Sequence, residues 1–385
     1  MDTIKLYDQD AYQTSFSAVV QSCEELSRKN GTVYQVLLDQ TLFFPEEGGQ
    51  SADTGILGDV NVLDVQIKGG IITHTLDNPL SVGASVTGKV DWQHRFFNMQ
   101  QHTGEHIFSG LVHKYFGFDN VGFHLSDQVV TMDFSGPLSD EQVEKIEWAV
   151  NECIAANLPV EVSFPDKAEL ADMEYRSKIE IDGQVRIVSI PGYDVCACCA
   201  PHVHRTGEIG LLKVMNVSKY KAGVRVSILC GFRALKDYRM KQKNVVSISN
   251  SLSAKQDTIA DAVGKLKEEC GRLKMELGAA KMKLMTVKIQ EIPLDQENVC
   301  LFEEDVDADI MRFTVNELVK NHCGYCAVFV GNDSDGYHYI IGSTDKDARE
   351  LGKLLREQFQ AKGGGKPEMI QGSLTGTAAS IAQLF

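Results

Sequence analysis

The sequence predicts a multidomain α+β protein, on three observations. Residues 1–90 break into short alternating apolar runs punctuated by Gly, Asn and Pro, which is the pattern of strands and turns. Residues 91–235 and 294–385 mix such runs with stretches of helical spacing. Between them, residues 236–293 hold one persistent apolar rhythm, with their single proline at the very end, Pro293. A chain of 385 residues with 43% apolar content has enough material for more than one core.

In residues 1–90, the runs TVYQVLL, VNVLDVQI, GIITHTL and ASVTGKV predict a small all-β domain, a barrel or a sandwich. A long polar loop, FFPEEGGQSADTG, runs from Phe43 to Gly55 inside it. In residues 91–235, Asp91 to Phe116 has helical spacing after a polar start. Ser139 to Asn157 opens S-D-E and continues amphipathically, as a capped helix does. VVTMDFSG, VEVSF, GQVRIVSI and VRVSILCG predict strands, so this domain is α+β. In residues 236–293, Ile259, Val263, Leu266, Cys270, Leu273, Leu277, Ala280, Leu284 and Val287 step by 4 and 3 in turn. Four heptads of such a seam predict a long helix or a helical hairpin packed on a partner helix, coiled-coil fashion. In residues 294–385, YCAVFVGND and GYHYIIGST predict strands and Asp345 to Gln360 a helix. The glycine-rich KGGGKPEMIQGSLTG that follows predicts a loop, and the domain reads as α/β.

Bulk charge excludes some functions. A net charge of −15 argues against a general polyanion binder, though not against a local basic patch. Residues 236–293 are that exception, with 12 basic and 7 acidic side chains; they form either a solvated face or an RNA contact. The start, MDTIKLYDQD, lacks the basic and apolar regions of a signal peptide. No window approaches 18 uncharged apolar residues, so no membrane span is expected. Ten unevenly spaced cysteines suggest free thiols or metal ligands, and a cytoplasmic protein.

The chemistry concentrates in two stretches. In QQHTGEHIFSG, His102 and His106 stand four apart, so a helix projects both imidazoles from one face. The same stretch reads H-x-x-E-H, in which Glu105 would be the general base of a metallopeptidase. In DVCACCAPHVHRTGEIG, Cys198 and His202 are also four apart, and 96 residues separate the two pairs. Zinc takes imidazole nitrogen and thiolate sulfur in a tetrahedron, which two such pairs can supply. Spacing selects Cys198 as the thiolate, with Cys196 and Cys199 as alternatives. A peptidase would need a carboxylate ligand downstream and has no use for a matched Cys/His pair, so Glu105 is expected to be solvated or paired along its helix. Cys323 and Cys326 form a C-x-x-C without a second pair and are assigned no metal.

RFFNMQQHTGEH together with CCAPHVHRTGEIG resembles the editing domain of alanyl-tRNA synthetase and its free-standing relatives, the AlaX trans-editing proteins. His102–Thr103 matches the family's first histidine. His202, Val203, Arg205, Thr206, Gly207, Ile209 and Gly210 match the motif that follows its last. FFPEEGGQSADTG resembles the glycine-rich motif of the family's preceding β-barrel, and KGGGKPEMIQG the C-terminal DHHA1 domain. The order is that of the long AlaX subclass: barrel (1–90), zinc-containing editing domain (91–235), helical segment (236–293) and DHHA1-like domain (294–385). CCAP stands where the family often has CGGT, which leaves the ligand positions intact but changes the loop.

The resemblance implies a substrate: alanine tRNA wrongly charged with serine, or with glycine, hydrolysed at its aminoacyl ester with one zinc ion per chain. A pocket for alanine cannot strongly reject serine, whereas a site that hydrogen-bonds the hydroxyl rejects alanine well. Thr103 is one candidate for that polar contact, and Asn120, with His124 nearby, is another; Asn120 in its DNxG context also reads as a turn residue. Gly48 and Gly49 would let backbone approach the substrate, and Gln50 would supply a donor and an acceptor. Arg95, in the lead-in R-x-x-x-M-x-x-H, and Arg205 are the candidate substrate-binding arginines. Arg95 would contact RNA phosphate or form a buried ion pair. Lys219, Lys221 and Arg225 would line the acceptor-stem path or serve as ordinary strand-edge charges. The helical segment and the C-terminal domain are the expected sites of tRNA binding and self-association, giving a homodimer. Two other classes stand beside this one: a non-catalytic zinc protein that binds tRNA or a synthetase, and the peptidase.

Overall fold

The computed structural model describes residues 2–28, 31–126, 129–177 and 183–385. The chain divides into two compact units, Met1–Asn244 and Val245–Phe385.

The first unit begins with a closed six-stranded barrel. Its strands are β1 (Ser15–Arg28), β2 (Gly31–Leu38), β3 (Gly55–Leu57), β4 (Val60–Lys68), β5 (Ile71–Leu76) and β6 (Ser85–Val90). They close in the order β1-β2-β5-β4-β3-β6, every pair antiparallel. Alternation builds the core: Phe16, Ala18 and Val20 of β1 point inward between exposed neighbours, as do Val60 and Val62 of β4. Gly88 is required by packing, because a Cβ there would stand 2.1 Å from the Phe16 ring. Two of the six strands, β1 and β3, were not signalled by the sequence pattern. β1 ends in an exposed polar half, and β3 has three residues.

The loop Phe43–Gly55 is less polar than its composition implies. Leu42, Phe43 and Phe44 are fully buried in the barrel core. Asp53 turns inward to accept from the Phe44 amide at 2.6 Å, and it pairs with Arg95. Arg95 is 0% exposed. Its Nε donates to Asp53 Oδ1 and Oδ2 at 3.0 and 2.9 Å, and its terminal nitrogens donate to the Ala11 and Leu42 carbonyls and to Asp53. Arg95 is therefore the buried ion pair, not the phosphate contact. With no surface and all three nitrogens engaged, it pins the loop to the following helix.

That helix, α1 (Trp92–Phe116), starts at the Asp91 cap, whose side chain accepts from the His94 amide, and stops at Gly117 in the left-handed conformation (φ 68°). The capped helix expected from Ser139 is α2 (Asp140–Ala156), with a capping box between Ser139 and Gln142. Both pack on an antiparallel sheet of β7 (Asn120–Leu125), β8 (Val130–Phe134), β12 (Leu212–Tyr220) and β13 (Gly223–Cys230), in the order β12-β13-β8-β7. Met99, Phe108 and Leu111 from α1 meet Ile146 and Val150 from α2, and Met132 and Val226 from the sheet. A smaller antiparallel sheet, β9 (Glu161–Ser163), β10 (Ile187–Ile190) and β11 (Asp194–Ala197), leads into the cysteine-rich loop.

Helix α3 (Gly231–Leu252) follows β13 directly, and α4 (Ile259–Gln290) carries the heptad seam. The seam is not covered. Val263, Leu266, Leu273, Leu277, Leu284 and Val287 are all exposed, and Met285 is the buried residue of this helix. The rest of the second unit is a five-stranded sheet of β14 (Val299–Glu303), β15 (Cys326–Asn332), β16 (Gly336–Gly342), β17 (Lys362–Lys366) and β18 (Met369–Leu374), in the order β14-β15-β16-β18-β17. Only β14 and β15 run parallel. Helices α5 (Ala308–Leu318) and α6 (Ala348–Phe359) pack on it. The glycine-rich KGGGK is β17, an exposed edge strand rather than a loop. Its glycines allow close approach to β18: a Cβ on Gly365 would stand 2.2 Å from the Met369 carbonyl oxygen.

All ten cysteines are free. No helix among the described residues is long and apolar enough to cross a membrane.

Candidate metal centre

Helix α1 is buried on every side from Asn98 to Val112. Its polar residues must therefore find partners inside the protein. Gln101 does so symmetrically: its Nε2 donates to the Cys230 carbonyl at 2.8 Å, and its Oε1 accepts from the Cys230 amide at 2.7 Å. His102 and His106 share the face turned toward the loop after β11.

That loop delivers Cys198 and His202. Arg186 shapes it, with one terminal nitrogen donating to the Cys198 and Ala200 carbonyls at 2.8 and 2.9 Å. One ligand atom each from His102, His106, Cys198 and His202 falls within a mutual 4.8 Å. The Cys198 Sγ lies 3.6 Å from His102 Nε2 and 3.3 Å from His202 Nε2. Bonds of about 2.0–2.3 Å at a tetrahedral angle put zinc ligand atoms roughly 3.3–3.7 Å apart, so these separations fit an ion at the centre.

Each imidazole is held from behind by a different group. His102 Nδ1 is 2.7 Å from Gln50 Oε1, His106 Nδ1 is 2.9 Å from Asp194 Oδ2, and His202 Nδ1 is 3.0 Å from Thr103 Oγ1. If the three Nδ1 atoms carry the protons, all three Nε2 lone pairs face the centre. Arg176 in turn holds Asp194 through Nε to Oδ1 at 2.7 Å. Asp194, Arg176 and Arg186 have no signal in the motif spacing, because a residue that supports a ligand need not stand at any fixed distance from it in sequence.

Electrostatics separates the three cysteines. Burial opposes the Cys198 thiolate, yet the adjoining imidazoles of His102, His202 and His106 outweigh it and hold its thiol well below the ordinary range. Burial pushes Cys196 up, against the pull of His106 and Arg176. Burial, with the charges of Cys198 and Glu47, pushes Cys199 up further. Cys196 instead joins His106 and Asp194 in an adjoining buried group, and Cys199 lies against Gly48. Burial lowers the His202 imidazole to about 3, so it is neutral and can offer its lone pair.

The other candidate residues are distributed as follows. Gln50 is fully buried; its Oε1 holds His102, while its Nε2 has no partner among the described residues. Gly48 and Gly49 both have positive φ (62° and 86°), and a Cβ on Gly49 would stand 2.6 Å from the Phe123 carbonyl oxygen. The loop thus lies flat on β7, with the Leu125 amide donating to the Gly49 carbonyl at 2.7 Å. Phe123 places its ring 4.8 Å from that of His102. Thr103 faces His202 and also accepts from the Val203 amide at 3.3 Å. Its hydroxyl is engaged by His202 and the Val203 amide.

Asn120 is the first residue of β7, not a turn. Its Nδ2 donates to Glu105 Oε1 at 2.6 Å and Ser109 Oγ at 3.0 Å. Glu105 is 1% exposed, so it is not solvated; it pairs along the helix with Ser109, whose hydroxyl donates to it at 2.7 Å. Asn120 also lines a cavity of about 810 Å³ bordered by Asp194 and Cys196, while Glu105, closed off from solvent, lacks the open reach of a peptidase base. His124 is exposed. Arg205 is exposed and donates to the Asn157 carbonyl at the end of α2. Arg225 is paired with Asp133 at 2.6 Å.

Comparison with known proteins agrees with this geometry. Residues 1–94 match the family described as tRNA synthetases class II (A), and residues 185–225 the Threonyl and Alanyl tRNA synthetase second additional domain. The second match contains Cys198 and His202. The chain is 30% identical over 380 residues to the Alanyl-tRNA editing protein Aarsd1 of Danio rerio, covering 94% of this chain and 92% of that one. The rat protein of the same name is 28% identical over 387 residues, covering 96% and 94%. The Alanine–tRNA ligase of Halobacterium salinarum is 31% identical over 378 residues, 92% of this chain but 40% of the ligase. With a buried His/Cys quartet on a class II-associated barrel and relatives matched along almost their whole length, this chain belongs to the AlaX-type family of alanyl-tRNA editing proteins.

Proposed function

We propose that the protein is a trans-editing hydrolase that removes serine, or glycine, from wrongly charged tRNA(Ala). The observation that carries this reading is the convergence of His102, His106, Cys198 and His202 within 4.8 Å. The separations and the donor set fit zinc, one ion per chain. A bound zinc would polarise the ester carbonyl or a water molecule, or anchor the amino group of the substrate.

The chain's own residues supply the rest. Gln50 holds His102 with one end and leaves a buried donor, Nε2, at the other. A buried donor without an acceptor is costly, by about 1–3 kcal/mol. A serine hydroxyl that accepts from it would recover that cost, and an alanine methyl would not. Gly48 and Gly49 keep the loop close to β7, so a substrate in this position meets backbone rather than side chains. Asp194 and Thr103 fix the other two imidazoles.

The finer parts of this reading follow the family. The second unit acts as a DHHA1-like domain, with Lys353, Arg356, Lys362 and Lys366 available to the body of the tRNA. The exposed seam of α4 pairs with that of a second copy, and the protein works in the cytoplasm. A second reading is favoured by one observation: a zinc ion with four protein ligands is commonly structural. Under it, the chain is a non-catalytic protein that binds tRNA or a synthetase.

Deacylation of purified Ser-tRNA(Ala), Gly-tRNA(Ala) and Ala-tRNA(Ala), by wild-type protein and by Cys198→Ala, separates the two. Serine release with alanine spared, lost together with the zinc in the variant, is the expected result. No release by a folded, zinc-loaded wild type would leave the binding protein. Full activity in a zinc-free Cys198→Ala would rule out a catalytic metal.

A further inference from the structure

We propose that the first turns of α3, with the cavity beside them, form an RNA-docking surface that takes an unstacked nucleobase. This inference rests on the reading of the chain as a tRNA hydrolase. The surface lies apart from the metal centre: Gln100 at its base is two residues before His102, and so about 200° around α1.

The cavity has a volume of about 580 Å³, and its walls are largely apolar, formed by Leu211, Phe232, Leu235 and Tyr238. Gln100 is only 2% exposed and lines it. The Gln100 Nε2 donates to the Glu208 carbonyl at 2.8 Å, which fixes the amide orientation, since the reverse would set two oxygens together. Its Oε1 is left buried with no partner among the described residues. Gly231 (φ 53°) packs against that oxygen; a Cβ there would stand 2.4 Å from it. A slot with apolar walls and one bare acceptor suits a flat ring carrying an N–H. Every nucleobase presents such a donor on its pairing edge once it is unpaired.

Charge selects RNA over an apolar peptide. Helix α3 carries five basic side chains and one acidic one in a protein of net charge −15. Two of the five are engaged: Lys241 pairs with Asp237 at 2.8 Å, and Arg233 donates to the Ser126 carbonyl and Asn98. Lys236, Arg239 and Lys243 are exposed and pair with no acid among the described residues. Their spacing of three and four puts them in one stripe along the helix, as backbone phosphates require. Phe232 and Tyr238 remain 55% and 64% exposed, offering ring faces for stacking. A bound peptide would fill the cavity but leave that stripe unmatched.

Filter binding of a tRNA(Ala) transcript to the full-length protein tests this. Tyr238→Ala, a change at an exposed position that leaves the core intact, is expected to raise Kd about 5- to 100-fold, the loss of one base stack. Lys236→Glu with Arg239→Glu is expected to weaken binding and reduce the slope of log K against log salt by about 2. Lys68→Glu, a charge reversal on the barrel, serves as the control and should bind like wild type. The proposal falls if wild type binds tRNA and both α3 variants match it, including the case in which those variants lose a protein partner instead. It also falls if the control weakens binding equally. A wild type that binds no tRNA would remove the underlying hydrolase reading, which is a different failure.

Discussion

At the residue scale, the three imidazoles of the candidate metal centre are told apart by what stands behind them. A carboxylate holds His106, an amide His102 and a hydroxyl His202. Asp194→Asn is therefore expected to cut metal affinity about 10- to 100-fold, read by chelator competition. Thr103→Val, which removes a neutral contact, should cut it less, and equal losses would mean that the carboxylate charge does not matter. Arg95 is the second test. Removing one member of a buried ion pair costs about 3–5 kcal/mol, so Arg95→Met should lower the melting temperature of the first unit sharply. A stable Arg95→Met that binds RNA poorly would restore the phosphate role.

His74 sets a pH window. It is buried in the barrel with its Nε2 2.9 Å from Thr41 Oγ1, and burial lowers its imidazole from 6.5 to about 4. The unfolded chain takes up this proton below about 6.5, but the folded one does so only near 4. Stability is thus full above the unfolded value and falls as pH drops between the two, by roughly 3 kcal/mol. Urea unfolding between pH 7 and 4 should show this fall, and His74→Leu should flatten it.

At the element scale, helices with clear ends were legible and strands without clear faces were not. Asp91 and Ser139 announce α1 and α2, and both cap as their chemistry requires. Ser139→Ala should cost about 1 kcal/mol. Conversely, β17 hides behind its glycines, and β1 behind the polar half of its length. The glycine-rich loop shows why such segments resist reading from sequence. Its Gly49 is required by the Phe123 carbonyl oxygen, a contact 74 residues away in the chain. Gly49→Ala, at positive φ and with no room for a Cβ, should displace the loop. It should lower deacylation more than it lowers the melting temperature, and unchanged activity would detach the loop from the site.

At the scale of the whole molecule, the exposed seam of α4 asks for a partner. Leu277 and Leu284 are each 55% exposed, at positions a heptad would bury. A dimer is the expected state in sedimentation velocity at micromolar concentration, and Leu277→Glu with Leu284→Glu should return a monomer. Cys270 lies in the same seam and is exposed. A parallel pairing in register would set two copies of it opposite each other, so oxidation would then trap the dimer. A wild-type monomer would leave the seam to another partner.

By itself, the sequence pointed to the candidate quartet. Two i, i+4 pairs of the right residue types pick out His102, His106, Cys198 and His202, with Cys196 and Cys199 left as alternatives for the thiolate, because local helix and loop geometry controls that spacing. It also determined the α+β class and the caps of α1 and α2, which depend on neighbours within a few residues. Only the tertiary structure decided which residues serve that set and which merely stand near it. Burial turned Arg95, Glu105 and Asn120 inward to partners 42, 4 and 15 residues away. The imidazoles beside it favour the thiolate at Cys198, while burial disfavours it at Cys196 and Cys199. The physical reason is the same in each case: desolvation and long-range contact set a polar group's role, and neither is a property of the nearby chain.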